Sequence, residues 1–126
     1  MTDPGWLRRW HDRRRLWAVL AAVAALLVAW GSLMPGDELP DALSWDKANH
    51  FLGYAVIAGL FGLAGLRPLT AFAAGWGFGA VLEFAQLLVP GRAGGDLADL
   101  LANALGAACA VLALAGVRRG FLRAPS

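Results

Sequence analysis

Four runs of apolar residues divide this chain, and each is closed by residues that stop a helix. The first covers 16–33, follows a run of arginines and ends at Met34-Pro35-Gly36. The second covers 48–66 and halts at Arg67-Pro68, the third covers 69–89 and ends at Pro90-Gly91, and the fourth, 97–117, gives way to Arg118-Arg119. Each run holds about 18 to 21 residues, which at ~1.5 Å per residue crosses a ~30 Å hydrocarbon core. A lone strand in lipid would leave its backbone polar groups unpaired, so helix is the remaining state. The pattern predicts an all-α protein, an integral membrane bundle of four transmembrane helices at 16–117. A basic arm at 1–15 precedes it and a basic tail at 118–126 follows.

Composition strengthens the membrane reading. Hydrophobic residues are 59% of the 126 and the mean hydropathy is +0.57, against about 45–50% apolar in soluble domains. Charged residues fall to 16%, where about 25% is ordinary. A soluble chain this short has too little interior for so many apolar side chains, so the surplus faces lipid. A cleaved signal peptide would also set a basic run before an apolar one. The first run is long, however, and Ala29-Trp30-Gly31 is a poor cleavage site, so this segment is expected to remain a membrane helix. The single cysteine, Cys109, offers no pair for a disulfide or a zinc site and reads as a small packing residue.

Charge placement gives an orientation. With four spans, Arg8, Arg9, Arg13, Arg14, Arg15, Arg67, Arg118, Arg119 and Arg123 fall on one side, nine of the eleven cationic residues; Lys47 and Arg92 lie opposite. The positive-inside rule then puts both termini in the cytoplasm of a multi-pass membrane protein. Trp6 and Trp10, one turn apart in the arm, suit a short interfacial helix on anionic lipid. Trp17 reads as an inner interfacial anchor, Trp30 and Trp45 as outer ones, and Trp76 as a packing residue. Anchoring the first helix accounts for the arginine run, and no nucleic-acid role is expected.

Polar residues inside the apolar runs carry the candidate chemistry. Asp46, His50 and Tyr54, four apart, share one face of the second helix, with Lys47 beside them. Glu83 and Gln86 are neighbours on the third, Glu83 about 10 Å from that helix's end. On the fourth, Asp96, Asp99 and Asn103 share a face, Asn103 about 9 Å in. An acidic group at such depth costs roughly 2.5–3.5 kcal/mol on insertion scales, so Glu83 should face the bundle and needs either a cationic partner or a bound proton. All three stripes belong to the outer half of the membrane, with Arg92 in the loop between the last two. Solvated surface accounts for Asp37, Glu38 and Asp41, and hydrogen-bonded helix packing is an alternative reading of Gln86 and Asn103. Gly75 and Gly79, then Gly59, Gly62 and Gly65, then Gly106 with Ala110, provide small faces where helices can approach closely.

Taken in order, Asp46-Lys47-x-x-His50-Phe51-x-x-Tyr54, Glu83-x-x-Gln86, Pro90-Gly91-Arg92 and Asp99-Leu100-x-x-Asn103-x-x-Gly106 resemble the signature of the VanZ-like membrane proteins. The resemblance spans 46–116. It departs where the family loop usually carries a serine after the arginine, since Ala93, Gly94 and Gly95 follow Arg92 here. The resemblance implies a cell-envelope role, the founding member being associated with low-level resistance to the glycopeptide teicoplanin, and it carries over no catalytic residue.

Two functions from different classes follow. In the first, a polar envelope ligand binds in an outer pocket: a lipid-linked precursor headgroup or a lipoglycopeptide. Asp46, Lys47, His50, Tyr54, Glu83, Gln86, Arg92, Asp99 and Asn103 would line the pocket, with Arg92 and Lys47 pairing to phosphate or carboxylate. In the second, the same pocket is a membrane-embedded acid/base enzyme acting on an envelope lipid or precursor. There His50 is the base, oriented by Asp46 or Asp99, and Glu83 is the acid. A proton-coupled transporter is a third possibility, for which four helices are few unless a homo-oligomer completes the path. No cofactor is expected. Metal binding by His50, Asp46, Glu83 and Asp99 is set aside, because the ligands come from three helices and no HExxH-type spacing supports it.

The cation count makes topology testable. A reporter fused after Ser126 should be active only in the cytoplasm, and one inserted near Glu38 only outside. An external C-terminus would refute four crossings.

Overall fold

The computed structural model describes residues 5–38 and 46–122; Asp41, Trp45, Arg123 and the side chains of Glu38 and Asp46 lie outside the described residues. Every regular element among the described residues is helical. A short helix α1 (Gly5–His11) leads into α2 (Arg14–Leu33), and after a 3-10 turn at Gly36–Glu38 come α3 (Asp46–Leu63), α4 (Pro68–Ala85) and α5 (Leu97–Val117). A 3-10 turn (Gln86–Leu88) tightens the end of α4, and a π turn (Arg118–Leu122) follows α5.

Local chemistry explains the boundaries. Met34 is extended ahead of Pro35, which ends α2. Gly65 takes a φ of +120°, and the N–H groups of Gly65 and Leu66 reach back to the carbonyls of Gly62 and Phe61. That is a glycine-capped Schellman pair, and it stops α3 before the Arg67-Pro68 pair expected to do so. Pro68 occupies the first turn of α4, where its missing N–H costs nothing. Asp96 caps α5 by accepting the Ala98 N–H at 2.8 Å.

Four long helices run back and forth between two ends. At one end Arg8 donates to the Leu122 carbonyl at 2.9 Å, and Arg118 donates to His11 at 3.0 Å and to the Gly62 carbonyl at 2.7 Å. At the other end the Gly36 N–H donates to the Pro90 carbonyl at 3.0 Å. The α3–α5 pair is the most extensive contact, α4 packs on both, and α2 lies mainly against α3. The hydrophobic core is small: Ile57, Ala58, Ala71, Ala107 and Val111 are buried, with Phe61 and Phe72 against it. Small residues make it thin. Gly106 lies so close to the Phe51 backbone carbonyl that an added methyl group would overlap it.

Polarity is inverted relative to a soluble bundle. Leu88, Leu69 and Leu112 are 88%, 78% and 70% exposed, while Glu83 and Asn103 are 1% and 0% exposed. A surface this apolar over a polar interior matches a hydrocarbon solvent better than water. Three helical stretches, Arg14–Leu33, Pro68–Leu88 and Leu97–Leu122, are long and apolar enough to cross a membrane. The 18-residue α3 is not among them, because Asp46, Lys47, Asn49 and His50 in its first turns lower its mean hydropathy. Cys109, expected to pack, instead sits on the exposed face of α5. Trp76 is also partly exposed, and its indole N–H donates to the Leu100 carbonyl at 3.2 Å.

Replacing Gly106 by alanine should therefore cost about 1–3 kcal/mol, the usual penalty of an overpacked contact. Gly77, with nothing within 4 Å of its added Cβ, is the control: Gly77→Ala should be neutral or slightly stabilising, since alanine is the better helix former. Unfolding of both variants in detergent micelles measures the contrast, and equal effects would contradict the close α3–α5 approach.

Candidate functional site

Helix geometry converts sequence spacing into one cluster. Lys47, His50 and Tyr54 come from the first two turns and a half of α3, Glu83 from the last turn of α4, and Asp99 and Asn103 from the first two turns of α5. Because neighbouring helices run in opposite directions, the start of α3, the end of α4 and the start of α5 meet at one end of the bundle. That end is the one remote from the termini.

Most of the polar groups there pair with one another. The Lys47 ammonium donates to Asp99 Oδ1 at 2.7 Å and reaches Asp96 Oδ2 at 3.5 Å. His50 Nδ1 lies 2.8 Å from Asn103 Oδ1. An amide oxygen has no proton to give, so Nδ1–H is the donor and the neutral ring keeps its lone pair on Nε2. That Nε2 stands 3.6 Å from Asp99 Oδ2. Glu83 Oε1 accepts the Asp96 N–H at 2.9 Å, and the Glu83 carbonyl accepts from the Gly95 N–H at 3.2 Å. No lysine or arginine pairs with the Glu83 carboxyl among the described residues; of the two alternatives its depth allowed, a cationic partner or a bound proton, the first is not found, and the Asp96 backbone N–H donates to it instead. One ligand-type atom each from His50, Glu83 and Asp99 lies within 4.8 Å of the others.

Tyr54 is buried beside the cluster, its ring stacked with that of His50 at 6.3 Å between centroids. Gly79 leaves the room for this, since a Cβ there would come within 2.7 Å of the Tyr54 ring and 2.8 Å of Asn103 Nδ2. Asn103 Nδ2 is buried without a hydrogen-bond partner. Gln86 is elsewhere: its amide donates to the Ser32 carbonyl at 2.9 Å and ties α2 to the end of α4. Arg92 makes no ion pair with the cluster's carboxyl groups. It lines a cleft of about 440 Å³ between α2 and α3, shared with His50 and Tyr54 of the cluster and walled otherwise by Ser32, Asn49 and apolar residues of both helices, among them Leu27, Val28, Leu52 and Val56. Arg92 Nη1 is buried there with no hydrogen-bond partner. The side chain of Asp46 lies outside the described residues.

Sequence reasoning missed the cleft and the part played by Asp96. The N-cap rule would have found Asp96, an acidic residue just ahead of an apolar helix. The Asp96 carboxyl is held below its ordinary value, first by the Ala98 N–H and then by Lys47. Its contribution to stability is therefore present above the usual aspartate range and is lost as pH falls below it. No signal in the sequence marks the α2 residues that wall the cleft. Comparison with protein-family models, curated proteins and solved structures finds no match to this chain.

The Lys47–Asp99 pair makes a coupling prediction. Lys47→Met strands a carboxylate that is 8% exposed and should lower the unfolding temperature. Adding Asp99→Asn should recover much of the loss, because it removes the charge left unpaired. A double mutant as unstable as the sum of the singles would show that the two residues do not act together.

Proposed function

We propose that this protein is a VanZ-like membrane protein that binds the anionic headgroup of a lipid-linked cell-envelope precursor in the cleft between α2 and α3. In this reading the chain crosses a bacterial cytoplasmic membrane four times, with α3 as the second of the four spans and both termini in the cytoplasm. Two things support the topology: arginines gather at the end shared by the two termini, and large apolar side chains clothe the bundle between its ends. The ordered motif from Asp46 to Gly106 supports the family reading.

Arg92 carries the argument for the ligand. A guanidinium with a buried, unpartnered nitrogen is matched by a phosphate or carboxylate, which it grips with two parallel hydrogen bonds. The rest of the cleft is walled mostly by alkyl groups of α2 and α3. A cationic end on an apolar trough suits an amphiphile with an anionic head and a hydrocarbon tail, and ~300–1,000 Å³ is the usual span of ligand pockets. Lys47 takes no direct part in this binding, since Asp99 and Asp96 already engage its ammonium. The alternative of an acid/base enzyme draws on the approach of His50, Glu83 and Asp99, and His50 also lines the cleft.

A photoreactive polyprenyl phosphate is the probe. Arg92→Ala should abolish its crosslinking to α2 and α3, and Arg92→Lys should keep part of it, because lysine preserves the charge without the planar fork. His50→Gln should be mild, since glutamine still offers a donor and an acceptor. Undiminished crosslinking in Arg92→Ala would overturn the binding reading. Retained ligand with a lost envelope phenotype in His50→Gln and Glu83→Gln would favour the enzyme.

A further inference from the structure

Three helices bring one imidazole and two carboxyl groups together at the end of the bundle. His50 gives its Nδ1–H to Asn103, which leaves the Nε2 lone pair directed toward Asp99 Oδ2 at 3.6 Å. That separation is too long for a hydrogen bond. Glu83 adds a second carboxylate, and the three ligand-type atoms lie within 4.8 Å of one another. The two carboxylates are 1% and 6% exposed. Lys47 pairs with one of them only, through Asp99 Oδ1, which leaves Oδ2 facing the imidazole. Converging acceptors taken out of water are stabilised either by a bound proton or by a cation at their centre, and the geometry here suits a cation.

We propose that His50, Glu83 and Asp99 form a binding site for a divalent transition-metal ion, with zinc as the best match to one imidazole and two carboxylates. Atoms bound to one such ion at ~2.1 Å lie at most ~4.2 Å apart. The 3.6 Å pair already satisfies this limit, and since all three atoms lie within 4.8 Å of one another, no pair exceeds it by more than about 0.6 Å. Each ligand is also oriented from behind, as metal ligands are. Asn103 holds His50 in the Nδ1–H tautomer, Lys47 holds Asp99 by its other oxygen, and the Asp96 N–H holds Glu83. Imidazole favours zinc, iron or nickel over magnesium and calcium, and the two carboxylates disfavour copper(I). The ion cancels the two carboxylate charges. Three protein ligands leave at least one coordination position for water or for an oxygen of a bound molecule. His50 joins this site to the wall of the α2–α3 cleft, yet the metal site does not depend on a lipid occupying that cleft.

The test uses the full chain purified in detergent without chelators. Mass spectrometry of the metals should find about one zinc per chain. Stripping with a chelator should lower the unfolding temperature, and added Zn²⁺ should restore it where Mg²⁺ does not. Cobalt(II) added to the stripped protein should give visible d–d absorption that Zn²⁺ displaces. His50→Gln, Glu83→Gln and Asp99→Asn should each weaken binding by at least ~100-fold, and Asn103→Ala by about 10–100-fold, the range for partners behind a ligand. Arg92→Ala should keep its zinc even if it loses polyprenyl phosphate, so the two proposals fail separately. A wild-type chain without metal, whose stripped form answers neither Zn²⁺ nor Co²⁺, overturns the site without recourse to any variant. Equal zinc in all three ligand variants, folded by circular dichroism, overturns it as well.

Discussion

Keeping two carboxylates inside a bundle whose outer surface is hydrocarbon is the constraint on which the rest of this structure depends. An isolated carboxylate removed from water costs several kcal/mol, and lipid supplies no solvent to repair the loss. Glu83 and Asp99 are nevertheless almost fully buried. Their surroundings are arranged accordingly. Lys47 reaches in from the first turn of α3, the loop before α5 turns a backbone N–H onto Glu83, and Asn103 fixes the imidazole that faces them. The antiparallel arrangement of α3, α4 and α5 follows the same logic, since only a shared end of the bundle can gather these groups.

Close packing is what makes that gathering possible. Between helices in lipid there is no hydrophobic drive of the aqueous kind, so contact comes from dispersion and hydrogen bonds at short range. Gly106 against the Phe51 carbonyl and Gly79 against Tyr54 and Asn103 let the backbones approach. With larger residues there, His50 would stand farther from Asn103 and Asp99. By contrast, α2 contributes one buried residue, Ala21, and is held at its end by the Gln86 amide on the Ser32 carbonyl. The looser seat of α2 leaves the cleft in which Arg92 lies.

Two polar systems at one end thus differ in character. The cluster of His50, Glu83, Asp99, Lys47 and Asn103 is inward and mutually engaged. The Arg92 cleft is lateral, largely apolar and short of a partner for its guanidinium. His50 belongs to both, with Nδ1 committed to the cluster's support. That shared imidazole is the physical route by which events in one site would be felt in the other.

The sequence alone determined the helical class, the long helices near 16–33, 48–66, 69–89 and 97–117, and the three polar stripes. These are local properties: apolar run length, proline and glycine stops, and spacings of three and four that share a helix face. Even so, α3 ends at Leu63, because the Gly65 cap acts before Pro68 does. Tertiary structure decided which stripes meet and with what. Gln86 carries the same spacing signal as Glu83, yet it turns to Ser32, because the chain has tightened into a 3-10 turn by that point. Arg92 could have joined the acidic cluster by sequence, but the loop carries it to the α2–α3 side. Partner choice depends on how helices distant in sequence are rotated and spaced against one another, and no periodicity within a single helix records that.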